Sequence, residues 1–440
     1  MPDRSEKDGT PAAATGASED RLSALPDDLL HLILSPLPSD QAVRTCVLAC
    51  RWRHIWKSAR AIRIKSRPWR AEKLHSFVNH LLLLRGGTPA DVCFLTAGEL
   101  LEDRGYNEQH YQYQKDHLHG QLCKFAQLWI RHVLTVCRVR VLKVWVRTYR
   151  RLSLDKTPLA SPVLMRLNLR DVSFMFDFWQ HQDQRSFRPL DFSNCPALKE
   201  LTMTFCKIHV SAIVSNTLKW LTIKECHFHS KFRTRVSTPL VEWMELSVCY
   251  GRAPILDNMP KLEAADVRLE NDYYDCCEND DYYGDCKDDE CRGCLGSSDT
   301  SSVLLASLSG ATDLALMSDP RQYIFPRDCK SCIIFDKLET LVLNDWCMGA
   351  GFGGLVFFLR YSPVLKKLTL QLEYCEKEQA VVVTDDQYIP TEHFLSVTRI
   401  RVQITTGRWW IEYLLIAQDI ATTGLSFHDG GILHHVCFLV

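Results

Sequence analysis

The sequence predicts an α/β protein in which a short helical domain at the N-terminus precedes a solenoid of parallel strands. Two observations lead to this prediction. Residues 25–56 are densely apolar at helical spacing, and a strand-like pattern of apolar residues recurs between residues 139 and 402. Most of its repeats are about 20 to 34 residues long, which is longer than the period of a helix or a strand.

The first predicted helix follows Leu25. Pro26 suits the first helical position, because its missing N–H would have no partner there. The next two residues are Asp, which places negative charge at the positive end of the helix dipole. Apolar residues at i, i+1, i+4 and i+5 then predict one apolar stripe, formed by Leu29, Leu30, Ile33 and Leu34.

Two further short helices are predicted in the next twenty or so residues. Ser39 can cap a second helix that extends through Thr45. A third helix carries two Trp on one face, through Leu48, Trp52, Ile55 and Trp56. Three helices this short cannot bury all of their apolar surface against one another, so we expect part of it to bind another molecule.

This N-terminal stretch resembles the F-box family in its Leu-Pro-Asp-Asp-Leu-Leu segment, its Leu37-Pro38 turn, its Val43-Arg44-Thr45 segment and its ending from Leu48 to Trp56. The resemblance implies an F-box over residues 21–60 that binds a Skp-type adaptor and, through it, the cullin and RING subunits of a ubiquitin ligase. The alternative is a plain helical cap on the following domain. The residues expected in or just beneath the adaptor interface are Leu25, Pro26, Leu29, Leu30, Ile33, Leu37, Leu48 and Trp52.

The longer pattern has the form L-x-x-L-x-L-x-x-N/C, in which alternate residues of a strand face a core. Cys206, Cys226 and Cys249 stand at the same offset after three consecutive strands, a position that takes a small buried side chain. The pattern resembles the leucine-rich repeats that follow F-boxes in a large family of plant proteins, which implies an irregular solenoid with parallel strands on its concave side. The predicted repeats start at Val139, Leu164, Leu198, Leu218, Val241, Leu262, Ala311, Leu338, Leu365 and Val397.

Apolar spacing and composition together set the other predicted boundaries, because polar segments without apolar residues cannot form a packed core. An open stack of repeats also needs a cap over its last apolar face. The predicted segments are a disordered tail at 1–20, a helical linker at 61–90, the repeat array at 91–404 with an acidic, Cys-rich insertion at 271–302, and a C-terminal cap at 405–440.

Two motifs suggest ligands, and we favour a structural interpretation of each. The Cys291-x-x-Cys294 and Cys329-x-x-Cys332 pairs have the local spacing of zinc ligands, but the gap between the pairs is longer than usual. The segment from Gly349 to Gly354 satisfies G-x-G-x-x-G, yet several residues separate it from the preceding strand, unlike a dinucleotide-binding turn. We therefore expect no metal and no cofactor.

The charge pattern does not favour nucleic acid or a membrane as a partner. The net charge is −1. A basic run over residues 51–70 contains no acid, and such runs are more often a solvated face than a nucleic-acid site. No apolar run approaches the roughly 18 residues of a membrane span. The first residues lack an apolar segment, so we expect the nucleus or the cytoplasm, with the 19 Cys as free thiols.

The predicted function is that of a non-catalytic, substrate-recognition subunit of an SCF-type ubiquitin ligase, with an unknown protein as its target. Two alternatives remain open: a repeat scaffold without a ligase, and a nucleotide-dependent enzyme built on the Gly349 loop. The target is expected to bind exposed strand positions, namely Thr202, Thr204, Lys219, Thr222, Lys224, Glu242, Glu245, Thr369 and Gln371.

Overall fold

The computed structural model describes most of the chain, with gaps. The described residues are 24–65, 71–98, 108–147, 151–155, 157, 159–175, 188–230, 232–269, 302–319, 322–348, 353–372, 400–406, 425–426 and 434–438. The α-helices in this part are α1 (Asp27–Leu34), α2 (Ser39–Arg44), α3 (Trp52–Ile55), α4 (Ala71–Arg85), α5 (Glu108–Thr135), α6 (Leu305–Leu308), α7 (Ile324–Asp328) and α8 (Gly353–Tyr361). Within the same described residues, 3₁₀ helices cover Thr45–Val47, Trp56–Ser58 and Asp345–Met348.

The strands of the described residues form one large sheet and two small ones. The large sheet has 14 strands: β1 (Ala61–Lys65), β2 (Val92–Gly98), β3 (Val141–Arg147), β5 (Arg166–Arg170), β8 (Glu200–Thr204), β11 (Trp220–Lys224), β14 (Trp243–Cys249), β16 (Ala264–Leu269), β17 (Asp313–Ser318), β18 (Thr340–Asn344), β19 (Lys367–Leu372), β20 (Ile400–Thr406), β22 (His434–Phe438) and β21 (Leu425–Ser426), in that spatial order. One small sheet contains β4 (Leu152–Ser153), β6 (Val172–Met175), β9 (Lys207–His209) and β12 (His227–Phe228). The other contains β7 (Leu190–Asp191), β10 (Ala212–Val214), β13 (Arg235–Ser237) and β15 (Ile255–Leu256).

The large sheet confirms the predicted repeat architecture. From β1 to β20 its neighbours are parallel and follow chain order, as expected when each repeat contributes one strand and one return segment. Leu201 pairs with Leu221, and Leu221 with Met244, so the second Leu of the template forms one row across the sheet. Together with the N-terminal helices, this arrangement gives the α/β solenoid that the sequence predicts.

The return segments use two kinds of structure. Between residues 152 and 256 they contribute the short strands of the two small sheets. The other return segments that the structure describes contain helices, as in α5 before β3 and α8 before β19. Both kinds enclose one continuous apolar core that extends from Leu30 to Leu370.

The three cysteines that follow consecutive strands have the packing role predicted for them. Cys206, Cys226 and Cys249 are buried. The thiol of Cys226 lies 3.5 Å from the carbonyl oxygen of Met203 in the preceding strand. The thiol of Cys206 lies 3.4 Å from the carbonyl oxygen of Leu169. Each thiol thus fills space beneath its strand and donates to the neighbouring repeat.

The prediction of a helical linker over residues 61–90 is wrong in its first part. Residues 61–65 form β1, which pairs in parallel with β2, and only residues 71–85 are helical. The residues Ala59, Ile62 and Ile64 satisfy the apolar positions of the repeat template and are buried. The basic run around them obscured this pattern in the sequence.

The register of the last predicted repeat is also wrong, by two residues. The template aligns Ile400 and Val402 with Leu368 and Leu370, whereas the structure pairs Leu368 with Val402 and Leu370 with Ile404. Strand β22 then pairs with β20 in the antiparallel direction, which ends the parallel stack within the predicted cap. The tail at 1–20 and the insertion through residue 301 lie outside the described residues.

Candidate functional site

Helix α1 is apolar on two sides. Leu30 and Leu34, four residues apart, are buried in the core. Leu29, Leu32 and Ile33 lie on a second side and are 44%, 67% and 42% exposed. The single apolar stripe predicted for this helix is therefore divided, because neighbouring residues of a helix point about 100° apart and only one side faces the core.

The turn between α2 and α3 adds two more exposed apolar side chains. Val47 is 83% exposed and Leu48 is 63% exposed, whereas Trp52 one turn later is buried. The carboxylate of Asp27 and the guanidinium of Arg51 form an ion pair that joins the start of α1 to the start of α3. We name the residues Leu29, Leu32, Ile33, Val47 and Leu48 the exposed F-box set.

The residues predicted to bind the adaptor fall into three groups in the structure. Leu29, Ile33, Leu48 and Pro26 are exposed, Leu25 and Leu37 are half-buried, and Leu30 and Trp52 belong to the core. Sequence reasoning missed Leu32 and Val47. Leu32 lies three residues after Leu29, so the helical spacing could have identified it.

Hydrogen bonds between side chains and the backbone hold the helical domain on the sheet. The sequence predicts Ser39 as a helix cap, but Pro38 precedes α2 and the Ser39 hydroxyl instead accepts the backbone N–H of Arg63 at 3.0 Å. The Arg63 side chain donates from Nε to the carbonyl oxygen of Ser35 at 2.6 Å. These contacts tie α1 and α2 to β1, so the exposed F-box set has a fixed position relative to the repeats.

The positions predicted to bind a target lie at two separate places on the sheet. Thr202 pairs with Thr222, and Thr222 with Glu245, on adjacent strands. Thr369 and Gln371 lie on β19, several strands away. The nearby predicted residues Thr204, Lys219, Lys224 and Glu242 are half-buried.

The charged residues in the middle of this face neutralise one another. Lys224 and Glu245 form an ion pair of 2.5 Å, and Lys219 pairs with Glu242 at the same distance. The sequence-predicted target positions therefore present paired charges and hydroxyl groups rather than an excess of either sign.

The glycine-rich motif has a structural explanation at one of its described residues. A Cβ on Gly354 would lie 2.6 Å from Cζ3 of Trp346, so close packing accounts for that glycine. Gly349, Gly351, Cys291 and Cys294 lie outside the described residues. Within the described ranges, no group of His, Cys, Asp and Glu is arranged to hold a metal ion, and no helix is long and apolar enough to cross a bilayer.

Comparison with known proteins agrees with this geometry. The model of the F-box domain matches residues 22–62. An F-box protein of Arabidopsis thaliana is 28% identical over 56% of this chain, and the match spans 45% of that relative. An FBD-associated F-box protein of the same plant is 24% identical over 80% of this chain and 75% of its own length. An F-box/LRR-repeat protein is 32% identical over 21% of this chain and 24% of its own length.

The fold and the domain match define an F-box protein, in which a helical F-box domain is joined to a solenoid of leucine-rich repeats. In sequence the chain is similar to F-box proteins of plants, including F-box/leucine-rich-repeat proteins.

Proposed function

We propose that this chain is the substrate-recognition subunit of an SCF-type ubiquitin ligase. The F-box would bind a Skp-type adaptor, which links it to cullin and RING subunits, and the repeats would bind a protein target. The observation that supports this most directly is the exposed F-box set. Packing against the core does not account for these five large apolar side chains, because they remain exposed to water.

Burial of the exposed F-box set gives the adaptor interface its free energy. A fully buried Leu or Ile side chain contributes roughly 1.5 to 3 kcal/mol relative to an exposed one. Leu30 and Trp52 support the interface from beneath, since they fix the positions of α1 and α3 in the core. An adaptor of matching shape would thus bind a preformed surface and lose little conformational entropy.

The proposed role requires no bond chemistry from this chain. A receptor that holds a target beside a ubiquitin-loaded enzyme raises the effective concentration of the target's lysines there. The continuous core from the F-box through the repeats suits this role, because it keeps the two binding surfaces at a constant separation. Such a complex would act in the nucleus or the cytoplasm.

Affinity purification of the full-length chain with proteasomal degradation blocked tests this proposal. The wild-type chain is expected to retrieve the adaptor, the cullin, the RING subunit and a target whose lifetime depends on the chain. Leu29→Asp with Leu48→Asp should retain the target and lose the adaptor. Retrieval of no adaptor, or targets whose lifetimes do not respond to removal of the chain, would favour the scaffold alternative.

A further inference from the structure

The outer face of the first four strands of the large sheet carries charges of one sign. On β1, β2, β3 and β5 the side chains that face away from the core include six Lys or Arg and no Asp or Glu: Arg63, Lys65, Lys143, Arg147, Arg166 and Arg170. We name these six residues, together with Phe94 and Trp145 on the same side of the sheet, the basic face.

Most of these cations have no carboxylate partner in the part of the chain that the structure describes. Arg166 forms an ion pair with Glu200 of β8, at the boundary of the basic face. Among the described residues, Lys65, Lys143, Arg147 and Arg170 form no ion pair with a carboxylate. Further along the sheet the pattern changes, since Lys224 pairs with Glu245 and Arg268 with Asp266. Among the described residues, most of the positive charge of the basic face is thus left uncompensated.

Aromatic rings hold several of the cations in place. The Arg63 guanidinium lies 4.3 Å from the centroid of the Phe94 ring, and the Lys143 ammonium lies 5.2 Å from it. The Arg170 guanidinium lies 4.8 Å from the centroid of the Trp145 ring. The Arg147 guanidinium lies 5.8 Å from the same centroid. Such contacts restrict the side chains, so less entropy is lost when their N–H groups bind an anion.

We propose that the basic face binds an acidic peptide segment of the target protein. This inference rests on the proposed function, since it names the chemistry that the repeats would recognise. Four adjacent strands span about 14 Å, which accommodates about four residues of extended peptide. Carboxylates of such a segment would accept charge-assisted hydrogen bonds from the arginines and lysines.

The same geometry disfavours a nucleic acid. Single-stranded nucleic acids bind by stacking their bases on open aromatic faces. Both rings of the basic face are already in contact with cations. Arg63 and Lys143 lie against Phe94. Arg147 and Arg170 lie against Trp145. The basic face therefore offers charge and hydrogen-bond donors, which suit carboxylates, rather than a stacking platform.

Fluorescence anisotropy with the full-length chain tests this assignment. The probes are a short fluorescein-labelled peptide of alternating Glu and Gly, its counterpart with Lys in place of Glu, and a labelled oligouridine. The wild-type chain is expected to bind the Glu peptide most tightly, and rising salt should weaken this binding. Lys143→Glu with Arg170→Glu should reduce the affinity for the Glu peptide at least tenfold and raise that for the Lys peptide.

A matched control makes the same change of charge outside the basic face. Lys367 on β19 and Arg360 on α8 are exposed, so Lys367→Glu with Arg360→Glu should leave binding of the Glu peptide unchanged. Both double variants should still bind the adaptor. A result against peptide binding by the basic face is therefore distinguishable from a result against the proposed ligase role. Absence of binding to the Glu peptide, equal binding by both double variants, or preferential binding of oligouridine would overturn the assignment. If Lys143→Glu with Arg170→Glu does not fold, Arg170→Gln provides the same comparison.

Discussion

Arg85, at the C-terminal end of α4, donates a hydrogen bond from Nη2 to the carbonyl oxygen of Ala59 at 2.9 Å. Its Nη1 donates to the carbonyl oxygen of Trp56 at 3.2 Å. The side chain is buried, and burial lowers the pKa of its guanidinium. One arginine of the first return segment thus satisfies the backbone at the end of the F-box and connects that domain to the solenoid.

Replacement of Arg85 should loosen this connection. Arg85→Met keeps much of the apolar stem but removes both donors, so we expect the free energy of unfolding to fall by about 2 kcal/mol. Urea unfolding measures this change, and limited proteolysis between the F-box and β1 should become faster. Arg131→Met, at an exposed site on α5, is the control and should change neither measurement.

The buried thiols predict a loss of stability at alkaline pH. Burial raises the pKa of Cys93, Cys249 and Cys347 to about 12, from an ordinary value of 9.0. Above pH 9 the unfolded chain therefore releases thiol protons that the folded chain retains, which favours unfolding. Each such thiol should reduce the free energy of unfolding by about 1.4 kcal/mol between pH 8 and pH 10.

Urea unfolding of the wild-type chain and of Cys249→Ala at the two pH values isolates one thiol. The substitution has its own effect on stability, so the quantity to compare is the difference in the free energy of unfolding between the two pH values. We expect a smaller difference in Cys249→Ala. An identical difference in the two proteins would show that the Cys249 thiol does not remain protonated in the folded state.

Two neighbouring glycines at the start of α8 should respond differently to alanine. Gly354→Ala places a methyl group against the Trp346 ring and should destabilise the chain by about 1 to 3 kcal/mol. Gly353→Ala meets no atom within 4 Å and should be neutral or slightly stabilising, because alanine favours helices. Thermal unfolding distinguishes the two variants, and equal effects would contradict the packing explanation for Gly354.

Local patterns in the sequence were sufficient to predict the F-box helices and most of the repeat strands. The row of Leu142, Leu167, Leu201 and Leu221 follows from a spacing that only a strand with one buried side satisfies. Strand β1 is hard to predict from sequence, because its buried residues Ile62 and Ile64 alternate with basic residues inside a longer basic run.

Features that depend on packing could not be predicted in the same way. The spacing of Leu29 and Leu30 does not indicate which side of α1 faces the core, because both sides are apolar. The basic face combines residues from strands that lie far apart in the chain. Its existence depends on the parallel register that aligns Arg63 with Phe94 and Phe94 with Lys143.

The most direct test of the proposed function measures binding of a purified Skp-type adaptor to the full-length chain by calorimetry. The wild-type chain should bind, and Leu29→Asp with Leu48→Asp should lower the affinity by about a hundredfold or more without lowering the melting temperature, because both side chains are exposed. Leu83→Asp with Leu84→Asp, which changes two exposed leucines of α4, is the matched control and should bind as the wild type does. Equal adaptor affinity of the Leu29/Leu48 variant and the wild type would contradict the central claim that the exposed F-box set binds the adaptor.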